Sequence, residues 1–163
     1  MPVELFHVAH QKKQNYALLD STRKKFPGLV LEGISTRCLL GPTHAQKIIA
    51  LSLYAQKHKD LISKKLQTDI LLRFAATTQI SFAIKTVGID EQDEFTIIAM
   101  GKTPSLNNLY KHLVPHLSEN PNYAKNSEYL QGLFKISKKH LAAVDSKTPL
   151  EDLLVEKAAI LIK

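Results

Sequence analysis

Helix- and strand-breaking residues divide this chain into short hydrophobic segments, and their spacing limits the possible folds more than any other feature. Pro27-Gly28, Gly41, Gly88 and Gly101 each follow such a segment. Glycine tolerates backbone conformations that other residues avoid, and proline lacks the N–H that helices and strands use, so both tend to end regular structure. No hydrophobic run approaches the roughly 20 residues of a membrane-spanning helix. The chain is therefore expected to alternate short strands with short helices.

The order of these segments predicts an α+β fold, a mixed and mainly antiparallel sheet layered with helices, because the connections are too short and irregular for a doubly wound fold. The predicted strands are Val3–Ala9, a strand pair or strand plus loop in Leu29–Leu40, Asp69–Ala75 and Phe95–Met100. The predicted helices are Gln11–Phe26, His44–Lys57, Gln79–Val87, Leu106–Leu117 and one beginning at Pro149, while Glu128–Ile136 is a helical turn or a strand. No repeat or linker divides the chain, which predicts one domain over residues 1–163.

Three of the helices have recognisable start signals. Ser105 is the expected cap of the helix that begins at Leu106. Thr43 is positioned to cap the helix that begins at His44. Thr148 is the expected cap of the last helix, with Pro149 in the first helical position and Glu151 completing a capping box.

No catalytic motif is complete, so no enzymatic activity, cofactor or metal is expected. Gly101-Lys102-Thr103 resembles the end of a phosphate-binding loop, but Thr96 occupies the position of the required glycine. His112 and His116 have the i, i+4 spacing of a zinc site but lack the accompanying glutamate, so they are interpreted as surface histidines. Cys38 is the only cysteine, which excludes an internal disulfide and favours a reducing compartment.

The charge balance predicts attraction to a polyanion. Lysine and arginine total 22 against 15 acidic residues, a formal net charge of +7. Such an excess is typical of proteins that bind nucleic acid. The alternative is a lysine-rich solvated surface that binds nothing. At the N-terminus the positive charges follow the hydrophobic stretch, which is the reverse of a secretory signal, so we expect a cytoplasmic protein without a membrane partner.

Two helices carry more apolar surface than one buried stripe requires. In His44–Lys57, apolar residues extend to Leu53, outside the main stripe; in the last helix they continue onto the flank at Val155 and Ile162. Either these helices lie between two layers of the protein, or a protein partner covers them. Leu53, Val155 and Ile162 are the candidate partner-binding residues.

The segment Thr68–Ile89 is the strongest candidate for a binding site. If Asp69–Ala75 is a strand, Arg73 faces away from the core and lies near the start of the following helix. Backbone N–H groups around Thr78 would there favour an anion. The alternative is structural: Thr77 or Thr78 caps the helix, and Arg73 pairs with a carboxylate.

This segment, "ILLRFAATTQISFAIKTVGI", followed by an acidic turn and the strand "FTIIAM", closely resembles the smallest subunit of the KEOPS complex, the kinase-binding TPRKB-like family. The preceding helix, "AQKIIALSLYAQKHKD", and the final helix, "LEDLLVEKAAILIK", occupy the corresponding places. The resemblance extends from about Val3 to the end of the chain, and the N-terminus is more similar to the archaeal branch.

The resemblance implies an α+β protein without catalytic activity. It implies binding to the small kinase/ATPase of KEOPS, a complex that installs threonylcarbamoyl on the adenosine beside the tRNA anticodon, and, in the archaeal branch, recognition of the tRNA 3′ CCA end. The implied tRNA-binding motif comprises Arg73, Ala76, Thr77, Thr78, Gln79, Ile80 and Lys85. Lys57, Lys59, Lys64 and Lys65 would add a basic track for single-stranded RNA. The alternative function is a structural interaction domain whose positive charge is incidental.

Overall fold

The computed structural model describes residues 1–162 and has the α+β architecture that the sequence predicts. Its strands are β1 Val3–Val8, β2 Val30–Ser35 and β3 Phe95–Met100. Its helices are α1 Asn15–Lys25, α2 Pro42–Lys57, α3 Leu66–Ala75, α4 Ile80–Val87, α5 Thr103–Leu113, α6 Asn126–Leu133, α7 Lys138–Ala142 and α8 Pro149–Ala159. None of the helices within residues 1–162 has the length and hydrophobicity needed to cross a membrane. Contacts group the chain into two units, a sheet unit of Met1–Thr36 with Gly88–Pro121, and a helical unit of Arg37–Val87 with the residues that follow Pro121.

The sheet unit is built on three antiparallel strands with β3 in the centre. Val3 on β1 and Val30 on β2 both lie opposite Met100 of β3. Every residue of β3 is buried, which explains its continuous hydrophobic sequence. Leu19 of α1 and Leu109 of α5 belong to the same core cluster as alternate residues of β3, so both helices contribute to the core of this unit.

The helical unit is organised around α3, which packs against α2, α4 and α8. Ile70, Leu71, Leu72 and Phe74 of α3 are all buried. Burial on several sides is expected of a helix in such a central position, and the two charged residues that are buried with them, Asp69 and Arg73, pair with each other.

The predicted strand Asp69–Ala75 is wrong, because these residues form the greater part of α3. Ile70, Leu72 and Phe74 alternate as in a strand, but Leu71 between them is buried as well. Periodicity cannot separate a buried helix from a buried strand when the hydrophobic run is short. The segment Glu128–Ile136, for which two structures remained open, contributes to α6.

The predicted helix caps are also wrong in detail. Helix α2 begins at Pro42 with Gly41 as its N-cap, two residues too early for Thr43 to be the cap. Helix α5 begins at Thr103 with Lys102 as its N-cap, so Ser105 lies inside the helix and is not its cap. Helix α8 does begin at Pro149 after Thr148, but the Thr148 hydroxyl donates to the Asp152 carboxylate instead of accepting from the backbone. The Glu151 carboxylate pairs with Lys47 at 2.7 Å and is therefore engaged outside the predicted capping box.

Candidate nucleic-acid and partner surfaces

The turn between α3 and α4 has a tightly bonded backbone. Ala76 adopts the left-handed conformation with φ of 50°, its N–H donates to the Arg73 carbonyl at 3.2 Å, and the Thr77 N–H donates to the Leu72 carbonyl at 3.1 Å. These two bonds form a Schellman motif, which satisfies carbonyls at the end of α3. The Thr77 hydroxyl accepts the Gln79 N–H at 3.2 Å, a local turn bond that precedes the first residue of α4, Ile80.

Helix α4 presents an apolar surface immediately after this turn. The side chains of Ile80 and Phe82 are 48% and 49% exposed, and Ile84 is exposed to a similar degree. Ala83 and Val87 are the buried residues of the helix. The N–H of Ala83 donates to the Gln79 carbonyl, whereas the N–H groups of Ile80, Ser81 and Phe82 in the first turn of α4 have no partner within the helix by geometry.

Phe82 is the functional candidate that the sequence reasoning missed. The segment "QISFAIK" places large apolar residues on more sides of an eight-residue helix than two buried contacts require. This excess of apolar residues was the signal in the sequence that one of them is exposed. The exposed residue Phe82 has an aromatic ring, the kind of surface on which nucleic-acid bases stack.

A groove joins this turn to the loop that precedes α3. Its volume is about 510 Å³. It is lined by Ile62, Ser63, Lys64, Lys65, Thr68, Leu72, Thr78 and Ile80. A second cavity of about 390 Å³ has Lys59 and Lys64 among its lining residues. Four of the predicted tRNA-binding residues therefore meet in one groove: Lys64, Lys65, Thr78 and Ile80.

The other predicted residues lie outside the groove lining. Lys57 is exposed in the last turn of α2, and Lys85 is exposed on α4. Lys59 is exposed in the loop after α2, where its backbone φ is 58°. Ala76 shapes the turn, and Gln79 is exposed at its end. Four exposed lysines thus lie within the segment 57–65, but only Lys64 and Lys65 line the groove that contains Thr78 and Ile80.

Arg73 does not occupy the position that the sequence predicted. It lies on a helix instead of a strand, and its side chain is only 6% exposed. Its Nε donates to Asp69 Oδ2 at 2.7 Å, and its Nη1 donates to the Ala158 carbonyl at 2.9 Å. The expectation that Arg73 faces away from the core is therefore wrong, and the alternative of a carboxylate partner is the geometry observed.

The candidate partner surface lies on α2 and α8, which pack against each other. Leu53 of α2 and Val155 of α8 are half-buried. Ile162 is 80% exposed, but the prediction that it lies on the last helix is wrong, because α8 ends at Ala159. Tyr54 and Ile160 are exposed beside them in sequence. The inner faces of both helices are buried. Part of the apolar surface predicted from the sequence is therefore buried within the helical unit, and the rest is exposed to solvent.

The side chain of His44 on α2 is buried. Its Nδ1 accepts the Leu40 N–H at 3.2 Å, and its ring meets Phe74 edge-on with the centroids 5.5 Å apart. Burial lowers the pKa of His44 from 6.5 to about 4. The imidazole is therefore neutral near pH 7 and serves the packing of α2.

His112 and His116, the pair with metal-like spacing, have separate neighbours. His116 Nδ1 lies 2.7 Å from the Gln11 side-chain oxygen, and His112 Nδ1 lies 3.3 Å from Lys25 Nζ. Burial and the Lys25 charge lower the pKa of His112. No group of three or more metal-ligating side chains occurs within the part of the chain that the structure describes.

The model of one protein family, described as kinase binding protein CGI-121, matches residues 9–161 and thus nearly the whole chain. No curated protein matches the chain.

Proposed function

The chain belongs to the kinase binding protein CGI-121 family, and on this premise we propose that it is the small non-catalytic subunit of a cytoplasmic KEOPS complex. In this role it binds the kinase/ATPase of the complex and recruits tRNA through the 3′ CCA end. The complex then forms threonylcarbamoyladenosine, and this chain contributes binding instead of chemistry. The family membership supports the kinase partner, and the groove beside α4 supports the RNA.

The groove is the single observation that carries the RNA proposal. Proteins that bind single-stranded nucleic acid combine cations that follow the backbone with apolar or aromatic surfaces for the bases. Lys64 and Lys65 line the groove together with Ile80. The 3′ end of tRNA is single-stranded, so its phosphates and unpaired bases match this combination.

Each part of the site has a distinct proposed role. Lys64 and Lys65 neutralise phosphates, while Ile80 and the exposed ring of Phe82 receive bases. Backbone N–H groups at the start of α4 supply further donors. The remaining lysines, Lys57, Lys59 and Lys85, add long-range attraction that does not depend on sequence.

The kinase surface is proposed on α2 and α8. Leu53, Val155 and Ile162 contribute apolar contacts, and the exposure of Ile162 leaves it available to a partner. Interfaces typically depend on a few such apolar anchors.

A structural interaction domain with incidental positive charge is the second candidate, and the exposed apolar surface of α8 favours it if RNA binding fails. The deciding experiment titrates labelled tRNA, with and without its CCA end, at two salt concentrations. We expect the intact tRNA to bind more tightly at both salt concentrations. Equal affinity for the two RNAs would refute recognition of the 3′ end, and no binding to either would favour the second candidate.

A further inference from the structure

Asp69 and Arg73 form an ion pair in the interior of the helical unit. Their side chains are 0% and 6% exposed, and the Nε–Oδ2 distance is 2.7 Å. Removing two charges from water is costly, so a buried pair is poor evidence for a gain in stability. What distinguishes this pair is that each partner also bonds the backbone of a different segment.

Asp69 holds the loop that forms one side of the groove. Its Oδ1 accepts the Ile62 N–H at 2.7 Å while its Oδ2 accepts from Arg73. Ile62 begins the groove lining that continues through Lys64 and Lys65. The carboxylate therefore sets the backbone position of the loop that carries the two groove lysines.

Arg73 holds the end of α8. Its Nη1 donates to the Ala158 carbonyl at 2.9 Å, in the last turn of the helix. The last four carbonyls of a helix lack partners within it and carry its negative dipole, so a cation there satisfies both needs. Ile160 and Ile162, which follow directly, are exposed. Arg73 thus fixes the backbone at the end of α8, from which Ile160 and Ile162 continue.

We infer that Asp69 and Arg73 are positioning residues shared by two binding surfaces, the groove loop and the end of α8, and that neither touches RNA or kinase. This inference rests on the proposed function for the identity of the two ligands. Arg73 then acts on RNA binding indirectly, through the backbone that it holds. Loss of the ion pair should impair both RNA binding and kinase binding, whereas loss of a groove lysine should impair only RNA binding.

The test replaces both partners with apolar residues, Asp69→Leu with Arg73→Met, because such replacement of a buried pair often preserves folding. Circular dichroism establishes that the variant is folded. Hydrogen exchange then compares the amides of residues 60–65 and 158–162 with those of β3. We expect exchange about ten-fold faster in both segments and unchanged in β3, since the lost bonds affect only local opening.

The binding assays use the same variant with tRNA and with the kinase. We expect both affinities to fall by about ten-fold, with the salt dependence of tRNA binding unchanged, because no phosphate contact is removed. The matched control is Lys47→Met with Glu151→Gln, which removes the ion pair between α2 and α8 and leaves the Ile62 and Ala158 bonds in place. The control should keep wild-type exchange in residues 60–65.

Wild-type exchange in both segments of a folded variant overturns the inference. A weaker salt dependence also overturns it, because that result identifies Arg73 as a direct phosphate contact. If the double variant does not fold, Asp69→Asn is measured in the same way. Its amide retains the side-chain shape but has one acceptor oxygen in place of two, so it cannot keep both the Ile62 and the Arg73 bonds in their present geometry, and exchange should rise in at least one of the two segments. The exchange measurement needs neither ligand, so it decides the positioning role even if the wild-type protein binds no tRNA and the proposed function fails.

Discussion

Removing the two groove lysines together is the most direct perturbation of the proposed RNA site. In the variant Lys64→Ala with Lys65→Ala, two exposed cations are lost from the groove while its apolar lining, including Ile80, remains. For single-stranded nucleic acid each phosphate contact contributes about 0.7 to the slope of log affinity against log salt. Two contacts thus contribute about 1.4, which corresponds to roughly 14-fold in affinity at 0.15 M salt.

Fluorescence anisotropy with labelled tRNA at 50 and 200 mM salt measures both quantities. Between these concentrations a slope difference of about 1.4 means that wild-type affinity falls about seven-fold more than that of the variant. The matched control is Lys138→Ala with Lys139→Ala, which removes two adjacent exposed lysines of α7 and the same net charge.

The outcome for the control decides the interpretation. We expect the control to retain nearly the wild-type slope, because exposed charges more than a Debye length of about 8 Å from the RNA are largely screened in physiological salt. Equal losses in the two variants would show that the attraction is diffuse and that the groove is not the site. A groove variant that binds like the wild type would refute the assignment of Lys64 and Lys65.

Three further predictions concern the partner surface and the stability of the helical unit. Val155→Glu and Ile162→Glu, each confirmed as folded by circular dichroism, should weaken kinase binding by about 2 kcal/mol or more in calorimetry; unchanged binding in both would place the interface elsewhere. Ala76→Gly should raise the free energy of unfolding in urea by about 0.5–1 kcal/mol, because glycine adopts the left-handed conformation without strain; a decrease would contradict that reasoning. The lowered pKa of His44 means that the unfolded chain binds a proton below pH 6.5 while the folded protein does so only near pH 4. Stability should therefore fall between these pH values, by on the order of 3 kcal/mol for this group, and His44→Gln, whose amide oxygen also accepts a hydrogen bond, should show a smaller fall in urea denaturation at pH 7 and 4.5.

Short-range patterns were sufficient for much of the fold. Strands β1 and β3 and helix α4 follow the predicted segments closely, because turn residues bound each of them. The α+β class followed from the order of the segments. The helix ends were less accurate, since the cap of α2 depends on which of Gly41, Pro42 and Thr43 begins the helix.

The candidate site was predictable only in part. Lys64, Lys65, Thr78 and Ile80 were identified from the sequence and line one groove, whereas Lys57 and Lys85 do not line it. Composition and motif can identify residues that suit RNA, but convergence depends on how the loop before α3 packs beside the start of α4. The groove brings residues 62–65 together with Thr78 and Ile80, although the whole of α3 separates these two segments along the chain.

Arg73 shows most clearly what the sequence determined and what tertiary structure decided. The sequence by itself determined the positive charge, the α+β class and a short polar turn between residues 75 and 80. It did not determine the direction of the guanidinium, because a buried run has no polar face from which helix or strand can be told apart. Tertiary packing decided that direction by bringing the Ala158 carbonyl, 85 residues away in sequence, within hydrogen-bond distance of Arg73. A charge in the interior must be paired and hydrogen-bonded, and those partners exist only once α3 and α8 are packed together.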